Sequence, residues 1–159
     1  MVELKYGKER IKVGIPEKAA VFVLEPSRAP VIASVEAALD SALSTPRGCP
    51  SLEALIDARR PRSVAIALPD ETRPAPLREI LPGLLRRMEA RLPAPLADCV
   101  TLFIGGGLHP PVDADATERI LPAGITRGCR VVAHDARTAA MRDYGDTSRG
   151  PPVRLNAEY

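Results

Sequence analysis

Three short runs decide the fold: Ser63-Val-Ala-Ile-Ala-Leu-Pro-Asp-Glu-Thr-Arg-Pro74, Cys99-Val-Thr-Leu-Phe-Ile-Gly-Gly-Gly-Leu-His109 and Arg130-Val-Val-Ala-His-Asp-Ala-Arg137. Each opens on an almost unbroken apolar stretch of four to six residues and closes on a polar loop. A continuous apolar run of that length marks a strand buried on both faces, as in a parallel sheet. Leu77 to Leu92 lies between the first two runs. Its apolar residues Ile80, Leu81, Leu84, Leu85 and Met88 have helical spacing, which requires Pro82 to sit in the early turns. Asp115 to Leu121 predicts a short helix between the second and third runs. Alternating strands and helices at this spacing imply an α/β fold, with a parallel-sheet, three-layer core over about residues 63–134.

On the N-terminal side, Val2 to Tyr6 and Arg10 to Ile15 alternate apolar and polar residues around Gly7, which predicts a β-hairpin. Ala19 to Leu24 reads as a further strand. Pro30 to Leu43 reads as a helix carrying Val35, Leu39 and Leu43 on one face, and Ser51 should cap a short helix through Ile56. Beyond the core, Pro152 to Asn156 looks like a strand whose partners come later in a longer chain. The expected organisation is one domain over 1–159, with 1–62 forming hairpin, strand and helices and 63–159 the α/β core.

The composition narrows the function. Apolar residues at 45% and charged residues at 26% are ordinary globular values. The 17 prolines, about 11% of the chain against an average near 5%, favour stiff loops and exclude a long coiled coil. With 22 basic and 20 acidic residues the net charge is +2, too even to imply nucleic acid or a charged membrane surface. The basic clusters Arg59, Arg60, Arg62 and Arg86, Arg87, Arg91 have acidic neighbours and read as solvated faces. Three widely spaced cysteines, Cys49, Cys99 and Cys129, support neither a zinc knuckle nor a disulfide framework, and no metal-ligand cluster is expected. Met1 to Arg10 lacks the apolar core of a signal peptide, and no run reaches membrane-span length. A cytoplasmic setting is the expectation.

In a parallel sheet the loops after the strands open on one edge, where ligands bind. Those loops hold the only two histidines of the chain, His109 and His134, together with Asp70, Thr72 and Arg73. An Asp can accept hydroxyl hydrogen bonds and an Arg fork can grip a carboxylate or phosphate. An Asx turn with a surface ion pair would explain Asp70 and Arg73 as well. Gly105, Gly106 and Gly107 would let backbone amides approach an anion, or simply make a tight turn. His109 suits proton transfer because imidazole titrates near neutrality, whereas His134 fits a structural hydrogen bond at a strand end at least as well.

At these residues the chain resembles the N-terminal domain of the nickel-pincer-nucleotide-dependent lactate racemases and related 2-hydroxyacid racemases and epimerases. The resemblance rests on Lys5-Tyr-Gly7, Asp70-x-Thr-Arg-Pro74, Gly107-Leu-His109, His134-Asp-Ala-Arg137 and Thr147-Ser-Arg-Gly150. It implies that Asp70 holds the nucleotide, with Thr72, Gly105, Gly106, Gly107 and His134 also on the cofactor. It places Arg73 over the nickel centre, orienting a small 2-hydroxy acid, and makes His109 an acid/base residue. The implied chemistry passes a hydride from the carbinol carbon to the nickel-pincer nucleotide and back to either face. The chain departs from the family at Gly106, where a Thr is usual, and at Pro110, where a basic residue is usual. The family's second catalytic histidine, cofactor-bearing lysine and nickel-binding histidine belong to a C-terminal part beyond Tyr159, so the 159 residues by themselves are expected to be inactive. The alternative expectation is a non-catalytic nucleotide- or hydroxyacid-binding module. Phosphoryl transfer ranks last: haloacid-dehalogenase-type phosphatases want a second Asp at the position of Thr72.

Overall fold

The structure, a computed structural model, describes all residues from Met1 to Tyr159 and divides into two units, Met1–Val31 and Ile32–Tyr159. In the first unit, β1 (Val2–Tyr6) and β2 (Glu9–Val13) form the antiparallel hairpin read from the sequence, pairing Val2 with Val13 and Tyr6 with Glu9. Gly7 takes the first central turn position at φ +60°, a conformation that glycine reaches without a Cβ penalty. The strand expected at Ala19 to Leu24 does not form. Phe22 and Leu24 are 85% and 94% exposed, and the sheet stops at β1 and β2. Apolar, β-branched composition makes a strand only where an edge is there to pair with it.

The second unit opens with α1 (Val35–Ser44) and α2 (Leu52–Arg59). Their N-caps Ser34 and Ser51 accept the Ala37 and Ala54 amides at 3.2 and 3.3 Å. The first helix therefore starts at its cap and not at Pro30. Next come β3 (Val64–Pro69), α3 (Leu77–Glu89), the single turn α4 (Leu96–Cys99) and β4 (Val100–Gly105). These lead into α5 (Ala114–Ile120), α6 (Ile125–Gly128) and β5 (Arg130–His134). The sheet is parallel in the order β3-β4-β5, so β3 and β5 are its edges.

Helix α3 runs through Pro82 without breaking. A proline inside a helix costs about 3 kcal/mol, whereas each large apolar side chain fully buried returns about 1.5–3 kcal/mol. Leu77, Leu81, Leu85 and Met88 are all buried on the stripe facing the sheet, which outweighs the proline. Gly83 lets α1 come close, since a Cβ there would meet Leu39 Cδ2 at 2.8 Å. Arg87 ties the three helices together. It grips both Glu53 oxygens at 2.6 and 2.8 Å and donates to the Asp40 carbonyl and the Ser44 hydroxyl. Arg86 and Arg91 pair with Glu36 and Asp57, so this basic cluster joins helices.

The helical face of the sheet carries the core: Leu68, Val100, Leu102 and Ile104 pack with Ile56, Leu81, Leu85, Leu121 and the buried thiols Cys99 and Cys129. On the opposite face Ala65 and Ala67 are exposed, so β3 is buried on one side and not on both. Phe103 on that face is covered by Tyr159, edge to face at 5.3 Å between ring centres. Tyr159 follows a second hairpin of β6 (Met141–Asp146) and β7 (Pro152–Asn156). The strand expected at Pro152 to Asn156 is present, but its partner precedes it: Met141 pairs with Asn156 and Asp146 with Pro152. Thr147 to Gly150 forms the turn, closed by the Gly150 amide on the Thr147 carbonyl at 2.9 Å.

Candidate functional site

Pro69, Gly105 and His134 are register partners at the carboxyl ends of β3, β4 and β5, so the three loops leave the sheet side by side. Asp70 is the first residue off β3 and the one buried charged side chain of the protein, 6% exposed. Its Oδ1 accepts the Thr72 hydroxyl at 2.6 Å and the Thr72 amide at 3.1 Å, and its backbone carbonyl accepts the Arg73 amide at 3.2 Å. Its Oδ2 lies 2.7 Å from His109 Nδ1. The Thr72 hydroxyl, the His109 ring and the Thr72 amide together hold the Asp70 carboxyl below its ordinary range.

The glycines make this approach possible, each in its own way. Gly106 faces the dyad, where a Cβ would lie 3.2 Å from Asp70 Oδ2 and 3.6 Å from His109 Cβ. Gly107 turns the chain at φ +60° with open space around it, and the His109 amide then closes on the Gly106 carbonyl at 3.1 Å. Gly105 ends β4. The His109 side chain is half exposed, and Asp70, Thr72, His109, Pro110 and Asp113 line a cleft of about 410 Å³. A carboxylate on one ring nitrogen, with no partner in the chain for the other, is an arrangement suited to moving a proton.

Arg73 is exposed and makes no side-chain hydrogen bond or ion pair. The loop thus joins Asp70, Thr72 and His109 and leaves the guanidinium free. His134 stands apart from the dyad. Its Nδ1 lies 2.8 Å from Asn156 Nδ2, and both residues line a cavity of about 220 Å³ with Ala67, Phe103, Leu155 and Tyr159. Asp135 beside it serves the turn, accepting the Thr138 hydroxyl and the Arg137 amide, which lower its pKa. Asn156 escaped the sequence reading, because nothing in the order of residues joins it to His134.

No three His, Cys, Asp or Glu side chains converge on a point that could hold a metal ion. Burial pushes the Cys99 and Cys129 thiols above their ordinary values, which removes them as ready nucleophiles. No helix is long and apolar enough to cross a membrane.

Comparison with known proteins adds three findings. The family model of the lactate racemase N-terminal domain matches residues 6–159. Among solved structures, the lactate racemase apoprotein from Thermoanaerobacterium thermosaccharolyticum superposes with a TM-score of 0.72 at 24% identity, over 97% of this chain and 35% of that one. No curated protein sequence matches the chain.

Proposed function

Because the chain belongs to the lactate racemase N-terminal domain family, we propose that it is the cofactor- and substrate-binding part of a 2-hydroxyacid racemase or epimerase. The chain spans 35% of the solved apoprotein, so a C-terminal domain completing the site belongs to the same proposal. The observation that supports the reading best is the Asp70–His109 pair, beside a cleft that His109 lines, with one histidine nitrogen left without a partner.

In this reading His109 Nε2 takes the hydroxyl proton of the 2-hydroxy acid as the C2 hydrogen leaves as hydride, giving the 2-keto acid. The same nitrogen returns the proton when hydride comes back to the face it left; return to the other face falls to the second acid/base histidine of the proposed C-terminal domain. The Asp70 carboxylate stabilises the imidazolium formed in between. Arg73, exposed and unpaired, is free to grip the substrate carboxylate in two places. A nickel-pincer nucleotide, when bound, supplies the hydride acceptor. The open corner at Gly107 suits the anionic end of such a nucleotide, and Thr72, Gly105, Gly106 and His134, at or just beyond the strand ends, are the residues that would hold it. The chain brings together no donor set for its metal, so that part of the site falls to the proposed C-terminal domain.

The test is interconversion of L- and D-lactate by the whole enzyme, followed by chiral chromatography. His109→Gln should lower the rate by about 10²–10⁴, the usual contribution of a general base, with the circular dichroism spectrum unchanged. An unchanged rate overturns the proposal. The exposed, unpaired Arg73 beside the Asp70–Thr72 turn also suits a second reading, a non-catalytic module for a nucleotide or hydroxy acid. Calorimetric binding of nicotinate mononucleotide or lactate by an enzyme that never racemises would establish it.

A further inference from the structure

Both imidazoles of the chain are held at Nδ1, by partners of opposite hydrogen-bonding character. His109 faces Asp70, whose Oδ1 already accepts two bonds from Thr72 and whose Oδ2 lies 2.7 Å from the ring. An ionised carboxylate only accepts, so the hydrogen of that contact sits on His109 Nδ1 and Nε2 of the neutral ring is bare. His134 faces the Asn156 amide, which could present either its oxygen or its nitrogen. The choice is settled on the amide's other side, where the Glu158 backbone N–H lies 2.7 Å from it. A backbone N–H can only donate, so that atom is Oδ1 and the atom 2.8 Å from the ring is Nδ2. Nδ2 donates in turn, His134 Nδ1 accepts, and the ring hydrogen lies on Nε2. Neither Nε2 has a partner within the chain.

We infer that Asp70 and Asn156 are positioning residues that set the two imidazoles in opposite tautomers, a proton acceptor at His109 and a hydrogen-bond donor at His134. The acceptor's ring lines the cleft beside Asp70. The donor belongs to the mostly apolar cavity walled by Ala67, Phe103, Leu155 and Tyr159, where an N–H is worth more than in water because few competing groups surround it. Its ligand class is an oxygen acceptor, a carbonyl or carboxylate oxygen of the proposed nucleotide. That assignment of ligand rests on the proposed function; the tautomers do not.

Two-bond ¹H–¹⁵N correlation spectra of the ¹⁵N-histidine-labelled protein, on the alkaline side of neutrality, read the tautomers directly. The signals lost in His109→Gln assign that ring and those lost in His134→Gln assign the other, whatever further histidines the whole enzyme carries. The expected result is a pyrrole-type Nδ1 and pyridine-type Nε2 for His109, and the reverse for His134. Asn156→Asp replaces a donor by an acceptor and should turn His134 to the Nδ1–H form while His109 stays as it is. A wild-type spectrum in which both rings share one tautomer overturns the inference whether or not the variant folds. A folded Asn156→Asp protein with His134 unchanged overturns its second half. Opposite tautomers in an enzyme that does not interconvert lactate would support the inference and count against the racemase reading. Lactate interconversion by an enzyme whose rings share one tautomer would do the opposite.

Discussion

On the helical side of the β3–β4–β5 sheet, Leu68, Leu102 and Ile104 lie under packed helices with 7%, 0% and 1% of their surface exposed. On the other side Ala65 and Ala67 of β3 are open, and Phe103 alone is buried, under Tyr159. Alternation along β3 and β4 gives both faces the same number of positions, yet one is filled with large side chains and the other mostly with small ones. The first face carries stability. The second is free to hold the cavity in which His134 sits, at little cost to the core, because so little apolar surface there depends on being covered.

That contrast is open to breakage. The largest effect should come from Leu102→Ala, which empties a fully buried site and is expected to cost about 2–5 kcal/mol in urea unfolding. Tyr159→Ala removes the edge-to-face contact on Phe103 and should cost less, about 0.5–1.5 kcal/mol by the same measurement. A Tyr159 loss as large as that at Leu102 would show both faces to be core. Ala67→Ser should change stability by no more than about 0.5 kcal/mol, as at other surface positions. A larger cost would place a covering group over the second face.

The smallest effect sharpens the comparison at the sheet edge. The Thr72 hydroxyl and then the His109 ring hold the Asp70 carboxyl below its ordinary value of 3.8. Its contribution to stability is therefore complete above 3.8 and fades as pH falls through the lower folded-state value. Asp70→Asn should flatten this acid limb and leave the neutral and alkaline limbs in place, as read by thermal unfolding across acid pH. An acid limb as steep in the variant as in the parent would remove Asp70 from the carboxylates that govern it.

Much of this was legible before any coordinates. The three apolar runs form the parallel strands, Gly7 makes the hairpin turn, Ser51 caps its helix, and the loops holding Asp70, His109 and His134 leave the sheet together. These follow from local chemistry or from the rule that parallel strands end on one edge. What failed depended on pairing between distant residues. Ala19 to Leu24 has the composition of a strand and no edge to join. Met141 to Asp146 carries little apolar signal and is exposed throughout, yet it is the strand that pairs with Pro152–Asn156. At the site, Asp70 and His109 could be placed in neighbouring loops, but their contact needs the close approach at Gly106, which spacing does not encode. Arg73 belongs to the same loop and stays free, because backbone position does not say where a long side chain goes.

The sheet ends after three strands, so β3 and β5 each turn a row of main-chain amides and carbonyls outward along their free sides. Such a rim is indifferent to where its next strand comes from: an extended segment of the same polypeptide and one from a neighbouring molecule offer it the same hydrogen bonds. Concentration therefore enters the behaviour of this chain at the rim and not at the core. Solubility and refolding yield should respond to how much protein is present long before the stability of the packed helical face does.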